Sequence, residues 1–248
     1  TIVDRIVEAL LDKAVAISPQ DPVARWNRSL AYLEKGDYDN GFRDYDYDQR
    51  ITRCKDRHYS KEGTPFWDGT PGKTVAIFGE QGIGDELMFA SILPNVMKDC
   101  EVVLDVHPRL IDMFRQNFPN VPVYGTRKTA NFQWSENHKI DAKIAMGSLG
   151  KFYRKKKEDF PGTPYMKANH TISEKYKSKL LSISKKPKIG VSWKGGTLIT
   201  NKHTRSFPME MMLPFFDCDV DFISLQYNDD AEKEVNAFHE KTGKVIHH

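Results

Sequence analysis

Cysteine is scarce in this sequence, and its spacing suits neither a disulfide framework nor a zinc site. The three cysteines, Cys54, Cys100 and Cys218, lie far apart in a chain of 248 residues, with no CxxC pair and no short Cys/His spacing. Disulfide-rich secreted domains need several pairable cysteines, and structural zinc sites need closely spaced ligands. The scarcity argues against both classes and favours a reducing, cytoplasmic location.

Long apolar runs and long runs of one charge are also missing. No apolar stretch approaches the ~18 residues of a membrane-spanning helix, and "TIVDRIVEALL" lacks the basic start and cleavage site of a signal peptide. The net charge is only +3, and the short basic runs "YRKKKED" and "SKLLSISKKPK" are typical of solvated helix ends or loops. We therefore predict neither a membrane span nor nucleic-acid binding.

What the chain does contain is enough apolar material for a core. Hydrophobic residues make up 39% and aromatic residues 11% of the sequence, a composition typical of one large folded domain or two ordinary ones. The chain begins inside a helical pattern and stops at "GKVIHH", just after a strand-like start. This pattern suggests a fragment of a longer protein.

The first 51 residues have a helical pattern. Apolar residues recur at a spacing of three to four over 2–17 and 22–34, which predicts two amphipathic helices, and a third is expected to begin at Phe42 after the turn "KGDYDNG". "KAVAISPQDP" and "GDYDNGF" resemble the closing helix and the inter-helix turn of tetratricopeptide repeats. The resemblance implies roughly one and a half repeats over 1–51, where three or more usually form a stable array, and a possible protein partner.

After a polar, Gly- and Pro-broken linker at 52–73, strands alternate with helices. The predicted strands are 74–79, 101–106, 121–125, 142–150, 188–193, 220–227 and a possible one at "KVI"; the predicted helices are 85–98, 108–118, 172–183, one from Pro208, and 230–241. Such alternation predicts an α/β fold with parallel sheets. We expect two Rossmann-like units, 74–165 and 166–248, of which the second has too few strands for a complete sheet.

A glycine-rich turn follows the first strand in "TVAIFGEQGIGDELMFA". Gly79, Gly82 and Gly84 permit close approach of a ligand, and a helix start exposes backbone N–H groups. The order G-x-x-G-x-G differs from the G-x-G-x-x-G of dinucleotide sites. Asp105, at the end of the next strand, lies where a ribose-binding acid would be. An NAD-dependent dehydrogenase therefore remains one alternative.

Asp85 has two interpretations. It can cap the helix, which would stabilise it by about 1 kcal/mol. It can also act as a general base, because the carboxyl edge of a parallel sheet faces a ligand crevice. A carboxylate at this position would repel a diphosphate, so a phosphate site is the weaker interpretation of this turn.

The second glycine-containing loop, "SWKGGTLITNKHTRSFP" (192–208), is basic. It carries Lys194, Lys202, His203 and Arg205, together with Gly195, Gly196 and the hydroxyls of Thr197, Thr204 and Ser206. Positive charge and backbone donors before a helix suit a diphosphate. The alternative is a solvated surface loop.

The two loops together carry a family resemblance. "TVAIFGEQGIGDELMFASILPNV" resembles the first strand, loop and helix of glycosyltransferase family 9, the heptosyltransferase-like group, in which Gly-Asp opens the helix. "KIGVSWKGG" followed by "KHTRSFP" is similar to the start of that group's second domain. "TPFWDGTPGKTVAIFGEQGIGDELMF" and "FISLQY" are similar to bacterial and phage proteins that join tetratricopeptide repeats to such a domain. The resemblance covers nearly the whole chain.

The resemblance implies a GT-B fold and transfer of a sugar, with inversion, from a nucleotide-diphosphate donor to an acceptor hydroxyl on a glycan, a lipid-linked saccharide or a protein. It implies no metal or other cofactor, in line with the absence of a DxD motif in a supporting context. The implied site residues are Asp85 as base; Gln81, Gly82 and Gly84 in the acceptor loop; Lys194, Gly195, Gly196, Thr197, Arg205 and Ser206 at the diphosphate, with Arg205 foremost; and Gln226 and Tyr227 near the nucleotide.

The resemblance is incomplete at its end. The family's second domain continues with strands and an acidic segment that complete the nucleotide pocket, and nothing here follows His248. A non-catalytic interaction scaffold is therefore the second hypothesis, ahead of the dehydrogenase. Trp26, Trp67 and Trp134 are predicted to pack in the core rather than to bind sugars.

Overall fold

A computed structural model of the chain describes residues 2–47, 57–60, 63–127, 132–196 and 202–248. The chain divides into two units, Thr1–Lys167 and Ala168–His248. In the described ranges, no helix combines the length and the apolar character needed to cross a membrane. The same ranges contain no group of three or more His, Cys, Asp or Glu residues that could hold a metal ion.

The first unit begins with three helices, α1 (Ile2–Ile17), α2 (Pro22–Lys35) and α3 (Tyr38–Tyr45). The predicted helices at 2–17 and 22–34 are confirmed. The Asp21 side chain accepts hydrogen bonds of 2.8 Å from two backbone N–H groups at the start of α2, and Gly36, in the left-handed region at φ 84°, ends it. These are local signals, so the sequence alone carries them.

The third helix begins earlier than predicted. Asp37 accepts a hydrogen bond from the backbone N–H of Asn40 (3.3 Å) and caps the helix, which therefore starts at Tyr38 rather than at Phe42. The stretch interpreted as a turn thus forms the first turn of α3. The tetratricopeptide assignment of these helices stays a prediction.

A buried ionic network joins the three helices. The Asp44 carboxylate is buried in α3 and pairs with Arg25 (2.7 Å) and Arg28 (2.6 Å) of α2. Arg28 also pairs with Asp12 of α1 at 3.0 Å, and the Tyr32 hydroxyl donates to the same Asp12 oxygen at 3.0 Å. Because a buried carboxylate requires partners, the network fixes how α3 packs on α2.

A four-stranded parallel sheet follows in the first unit. Its strands are β1 (Thr74–Phe78), β2 (Glu101–Asp105), β3 (Val123–Tyr124) and β4 (Ala142–Ala145), in the order β3-β2-β1-β4. Its helices are α4 (Ile83–Phe89), α5 (Leu93–Asp99), α6 (Ile111–Asn117) and α7 (Gly150–Tyr153). This order is Rossmann-like, with a topological switch point between β1 and β4, where such sheets bind ligands. The predicted α/β class with parallel sheets is confirmed.

The helix predicted over 85–98 is interrupted. It consists of α4, a 3₁₀ turn over Ala90–Ile92, and α5, which has Pro94 near its start. A proline cannot donate to the carbonyl four residues earlier, and its ring clashes with that carbonyl, so a single helix cannot continue through it. The apolar spacing masked this break.

The three tryptophans of the first unit are packing residues, as predicted. Trp26 lies 5.0 Å from the Tyr45 ring, and Trp134 stacks on Tyr124 with ring centroids 4.2 Å apart. Trp67 is buried and donates from Nε1 to the Thr70 carbonyl at 2.8 Å. Because all three rings belong to the core or pack against it, they are poor candidates for sugar platforms.

The second unit contains a parallel sheet of three described strands, β5 (Lys188–Val191), β6 (Asp221–Ser224) and β7 (Ile246–His247), in the order β5-β6-β7. Helix α8 (His170–Ile183) precedes it and α9 (Ala231–Thr242) connects β6 to β7. The helix predicted from Pro208 is a 3₁₀ segment, Met209–Asp217, with Pro214 inside. Ile189 of β5 is 43% exposed, although both faces of a parallel sheet are usually covered.

Candidate functional site

The loops that follow β1 and β4 begin at the switch point of the first sheet. The carbonyl oxygen of Phe78, the last residue of β1, accepts a hydrogen bond of 2.8 Å from the N–H of Met146, just after β4. The Glu80 carboxylate accepts a further bond of 3.2 Å from the N–H of Gly147. The two loops are thereby held together at the carboxyl edge, where a ligand crevice is expected.

Helix α3 packs directly onto these two loops. Gln81 donates from Nε2 to the hydroxyl of Tyr45. A Cβ atom at Gly147 would lie 2.5 Å from the Tyr45 ring, and one at Gly150 would lie 2.2 Å from the Phe42 ring. Because no side chain fits at either glycine, α3 approaches the sheet edge more closely than the sequence suggests. Helix α3 thus lies directly against the two loops at the switch point.

Tyr45→Phe is expected to loosen the Gln81 loop. The substitution keeps the ring but removes the acceptor of one partly buried hydrogen bond, a change of about 1 kcal/mol. Amide hydrogen exchange of the 79–83 segment should then increase roughly fivefold by local opening, as measured by mass spectrometry. Tyr38→Phe is the control, because the Tyr38 hydroxyl has no described partner. Unchanged exchange in Tyr45→Phe would contradict the contact.

Asp85 does not cap α4 in the manner expected. Gly82 is the N-cap residue, and Asp85, three positions later, accepts a hydrogen bond of 2.8 Å from the Gly82 N–H through Oδ2. This is the returning half of a capping box. The other carboxylate oxygen, Oδ1, makes no hydrogen bond with the described residues, and Asp85 is half-buried. One oxygen is therefore anchored while the other can accept a proton.

The glycines of this loop have separate roles. A Cβ atom at Gly84 would meet nothing within 4 Å, and Gly82 and Gly84 are exposed. A Cβ atom at Gly79 would lie 2.2 Å from the carboxylate carbon of Glu86. Gly79, interpreted from the sequence as a position for ligand approach, instead makes room for a buried side chain.

Glu86 is the buried carboxylate beside Gly79. It is 1% exposed, pairs with Arg127, and accepts a hydrogen bond of 2.9 Å from the backbone N–H of His107. Both carboxylate oxygens of Glu86 are bonded inside the protein. Glu86 therefore stabilises the loop and is poorly placed to react with a ligand. The sequence gives no local signal for this pairing, because the partner lies 41 residues away.

Asp105 is fully buried and saturated with donors. Its oxygens accept hydrogen bonds from Arg57 (2.5 Å), the Tyr59 hydroxyl (2.9 Å), and both the N–H and the hydroxyl of Thr126 (each 2.9 Å). A carboxylate has roughly four lone-pair sites, so none remains for a ribose. The position of Asp105 in the sequence suggested a cofactor ligand, whereas its contacts make it a structural anchor.

Burial shifts the pKa values of the partners of Asp105. Burial raises the pKa of the Tyr59 hydroxyl, and the charge of Asp105 raises it further. For Arg57, burial lowers the pKa, but the charge of Asp105 and the hydrogen bonds to Asp105 and Tyr59 outweigh it, and the net direction is upward. Arg57 therefore stays charged in its ion pair with Asp105.

In the second unit, Gln226 holds the start of the basic loop. Its oxygen Oε1 accepts hydrogen bonds from the Ser192 hydroxyl (3.0 Å), the Trp193 N–H (3.2 Å) and the Lys194 N–H (3.0 Å). These donors lie just beyond β5, and Gln226 lies just beyond β6. The family resemblance implied a position near a nucleotide for Gln226 and gave no sign of this anchoring role.

Lys194 is paired within the protein. Its ammonium group forms an ion pair with Glu234 of α9, and the indole N–H of the adjacent Trp193 donates to the other Glu234 oxygen at 2.7 Å. Glu234 was not among the predicted site residues, because no motif marks it. Its charge offsets that of Lys194, so Lys194 is a weaker candidate for binding a diphosphate than the sequence suggested.

The end of the basic loop, which includes Arg205, lies close to its start. The N–H of Phe207 donates to the Trp193 carbonyl at 3.0 Å, and a Cβ atom at Gly195 would lie 3.5 Å from the carbonyl oxygen of Arg205. Arg205 is exposed, and its guanidinium makes no ion pair with the described residues. The backbone of Arg205 therefore lies beside Gly195.

The remaining predicted residues of the second unit are less informative. Gly196 is exposed and has φ 77°, in the left-handed region that favours glycine, while Ser206 is half-buried. Tyr227 is 85% exposed. Thr197 lies outside the described residues. A cavity of about 300 Å³ in this unit is lined by Trp193, Phe207, Phe238, Glu234 and Lys241, among others.

The chain is similar to a curated bacterial protein. It is 30% identical over 196 residues to Protein FlbA of Caulobacter vibrioides, an alignment that covers 73% of this chain and 33% of the relative. The chain thus spans about a third of the length of the curated relative it matches. No family model matches the chain, and no solved structure matches it either.

Proposed function

We propose that the chain transfers a sugar, with inversion, from a nucleotide-diphosphate donor to an acceptor hydroxyl, in a GT-B-like arrangement of the glycosyltransferase family 9 type. The supporting observation is the chemical contrast between two loops, each at the carboxyl edge of a parallel sheet. The loop after β1 carries Asp85, one oxygen of which makes no hydrogen bond with the described residues, whereas the loop after β5 carries the exposed cation Arg205. The first suits proton removal and the second suits an anion.

The proposed reaction assigns a role to each loop. Oδ1 of Asp85 takes the proton of the acceptor hydroxyl, and the acceptor oxygen attacks the anomeric carbon from the face opposite the diphosphate. The bond between that carbon and the diphosphate oxygen breaks, and its electron pair leaves with the nucleoside diphosphate. Arg205 offsets the charge of the leaving group, as cationic side chains do in phosphate sites, so no metal ion is required.

The acceptor side of the proposal rests on the first unit. Gln81, Gly82 and Gly84 belong to the loop that α3 contacts, and the outer glycines leave open space beside Asp85. A glycan, a lipid-linked saccharide or a protein can supply the hydroxyl. The tetratricopeptide-like helices offer a surface for a protein partner under this proposal.

A non-catalytic scaffold is the second candidate. Phe42 and Tyr45 occupy part of the switch point where a ligand would otherwise bind, and both are buried. Under this hypothesis the helices and the sheet hold a partner and carry out no reaction. We do not propose a dehydrogenase, because the hydrogen bonds that Asp105 accepts from Arg57, Tyr59 and Thr126 leave no site for a ribose hydroxyl.

Nucleotide binding by the 248-residue chain tests the proposal. Isothermal titration with UDP, ADP and GDP, against NAD, is expected to show binding of a nucleoside diphosphate. Arg205→Ala should weaken it roughly tenfold or more, because a hydrogen bond to a charged group contributes about 1.5–3 kcal/mol. Lys185→Ala, which removes an exposed cation of the same unit, is the control. Binding of NAD alone, or equal effects of both variants, would contradict the proposal.

A further inference from the structure

Helix α8 of the second unit buries none of its 14 residues. Its start is well defined, because Oδ1 of Asn169 accepts a hydrogen bond of 3.0 Å from the backbone N–H of Ile172. A helix of this length is marginal in water by itself, and most helical stability in proteins comes from packing of an apolar face. The helix therefore has the character of an element that packs on a surface outside its own unit.

One side of α8 carries an apolar stripe. Ile172, Tyr176, Leu180 and Ile183 follow one another at spacings of four, four and three residues, which places them on one side of a helix. Ile172 and Tyr176 are 55% and 57% exposed, whereas Leu180 and Ile183 are half-buried. Single exposed apolar residues are common, but neighbouring large ones in one stripe favour an interaction surface.

The positive charge of the chain is concentrated on the same helix and its connection to β5. Residues 168–188 include six lysines and one glutamate, hence a charge of +5, so the rest of the chain, which totals +3, carries −2. At 3.6 residues per turn, Lys175 and Lys179 border the stripe on one side and Lys177 on the other. Lys177 pairs with Glu174 at 3.4 Å. Lys175 and Lys179 are exposed and form no ion pair with a described residue.

We propose that α8 binds the surface of an anionic lipid bilayer and lies in the plane of the interface. Ile172 and Tyr176 enter the boundary between headgroups and acyl chains, and the bordering lysines reach the headgroup phosphates while their stems cover apolar surface. A polybasic segment is attracted to anionic lipids. Nucleic acid would use the charge but not the apolar stripe. The inference goes beyond the proposed function and does not depend on it.

Vesicle binding by the 248-residue chain tests the inference. In co-sedimentation, vesicles of phosphatidylglycerol and phosphatidylcholine in equal parts should bind the chain at least about tenfold more tightly than vesicles of phosphatidylcholine alone. Raising the salt concentration to about 0.5 M should weaken binding, because salt screens exposed charges. Amide hydrogen exchange over 170–183 should slow on the anionic vesicles, since the bilayer stabilises the helix. If the chain does not bind the anionic vesicles, the inference is wrong.

Ile172→Ser tests the apolar contact. The substitution removes apolar surface that would be buried in the bilayer, so affinity for the anionic vesicles should fall roughly tenfold. Leu181→Ser is the matched control, because Leu181 is 61% exposed but lies on the other side of α8, away from the stripe. Its affinity should stay within about twofold of wild type. Equal losses in the two variants would contradict the proposed orientation of the helix.

Lys175→Gln combined with Lys179→Gln tests the charge contact. Removal of two lysines that lie near an anionic surface should weaken vesicle binding roughly 30-fold. The control combines Lys98→Gln with Lys233→Gln, which removes the same charge from exposed positions outside α8. Its affinity should stay within about threefold of wild type. A similar loss in both double variants would mean that only the net charge of the chain matters, and the inference would fail.

Two further probes separate a bilayer from other anionic partners. Duplex DNA that binds as tightly as the anionic vesicles, with no effect of Ile172→Ser on either, would make α8 a general polyanion-binding surface and overturn the inference. Tighter binding of polyglutamate than of the anionic vesicles would indicate an acidic protein partner and would also overturn it. Preference for the vesicles, lost in Ile172→Ser and kept in Leu181→Ser, is the result expected.

Discussion

Asp85→Asn is expected to lower sugar transfer by roughly 10²–10⁴-fold, the usual contribution of general base catalysis. Asparagine can still accept the hydrogen bond from the Gly82 N–H, so the capping box and the start of α4 should persist. What the variant loses is the carboxylate oxygen that receives the acceptor proton. Release of nucleoside diphosphate from nucleotide-sugar donors, in the presence of a panel of oligosaccharide acceptors, measures the effect.

The affinity of the donor decides how this result is interpreted. If Asp85 is the base, the affinity for the nucleoside diphosphate should stay within about twofold, because a residue that acts only in the transition state lowers turnover without weakening ground-state binding. Asp112→Asn, an exposed residue in the first turn of α6, is the matched control and should have wild-type turnover. A parallel loss of turnover and donor affinity would instead identify Asp85 as a structural cap.

Asp105→Ala is expected to destabilise the first unit by about 3–5 kcal/mol, because it leaves a buried cation without its partner. Arg57 has 9% of its side chain exposed and would lose its carboxylate, and Thr126 and Tyr59 would lose their acceptor as well. Urea denaturation followed by tryptophan fluorescence measures the free energy of unfolding, since Trp67 and Trp134 report on this unit.

Glu34→Ala provides the control for this measurement. Glu34 is exposed in the interior of α2 and makes no described contact, so its replacement by a good helix former should change stability by less than about 0.5 kcal/mol. A loss below about 1 kcal/mol in Asp105→Ala would mean that Asp105 is not the structural anchor its contacts indicate. Its carboxylate would then be available for a ligand, and the dehydrogenase hypothesis would regain support.

The helices at 2–17 and 22–34 and the parallel strands could be predicted because their signals are local. An apolar period of three to four, a capping Asp21 and a terminating Gly36 lie within one helix, and buried parallel strands appear as short apolar runs. The predictions were wrong where one local signal concealed another. The apolar residues keep a helical spacing on both sides of Pro94, so the break between α4 and α5 was not predicted. The residues of "KGDYDNG" are polar and were interpreted as a turn, so the capping of α3 by Asp37 was not predicted.

The candidate site was predictable in part. Asp85 and Arg205 each lie in a glycine-containing loop that follows a predicted strand, and the family resemblance singled out Arg205 among the basic residues of its loop. The structure places both loops at the carboxyl edge of a parallel sheet. The anchoring role of Gln226 could not be predicted, because it depends on three donors that lie 32–34 residues away. The same holds for Glu234, whose partner Lys194 is 40 residues earlier.

The sequence by itself determined the class of this protein: strands and helices in alternation, one acidic and one basic glycine loop, and a helical segment at the start. Tertiary structure alone decided which carboxylates are available for chemistry. Asp85, Glu86 and Asp105 have the same charge and lie within 21 residues of one another. Two of them are buried and fully bonded by distant partners, and the third has an oxygen that no described residue bonds. The physical reason is that burying a charge requires donors, and in a folded chain those donors come from residues that are remote in sequence.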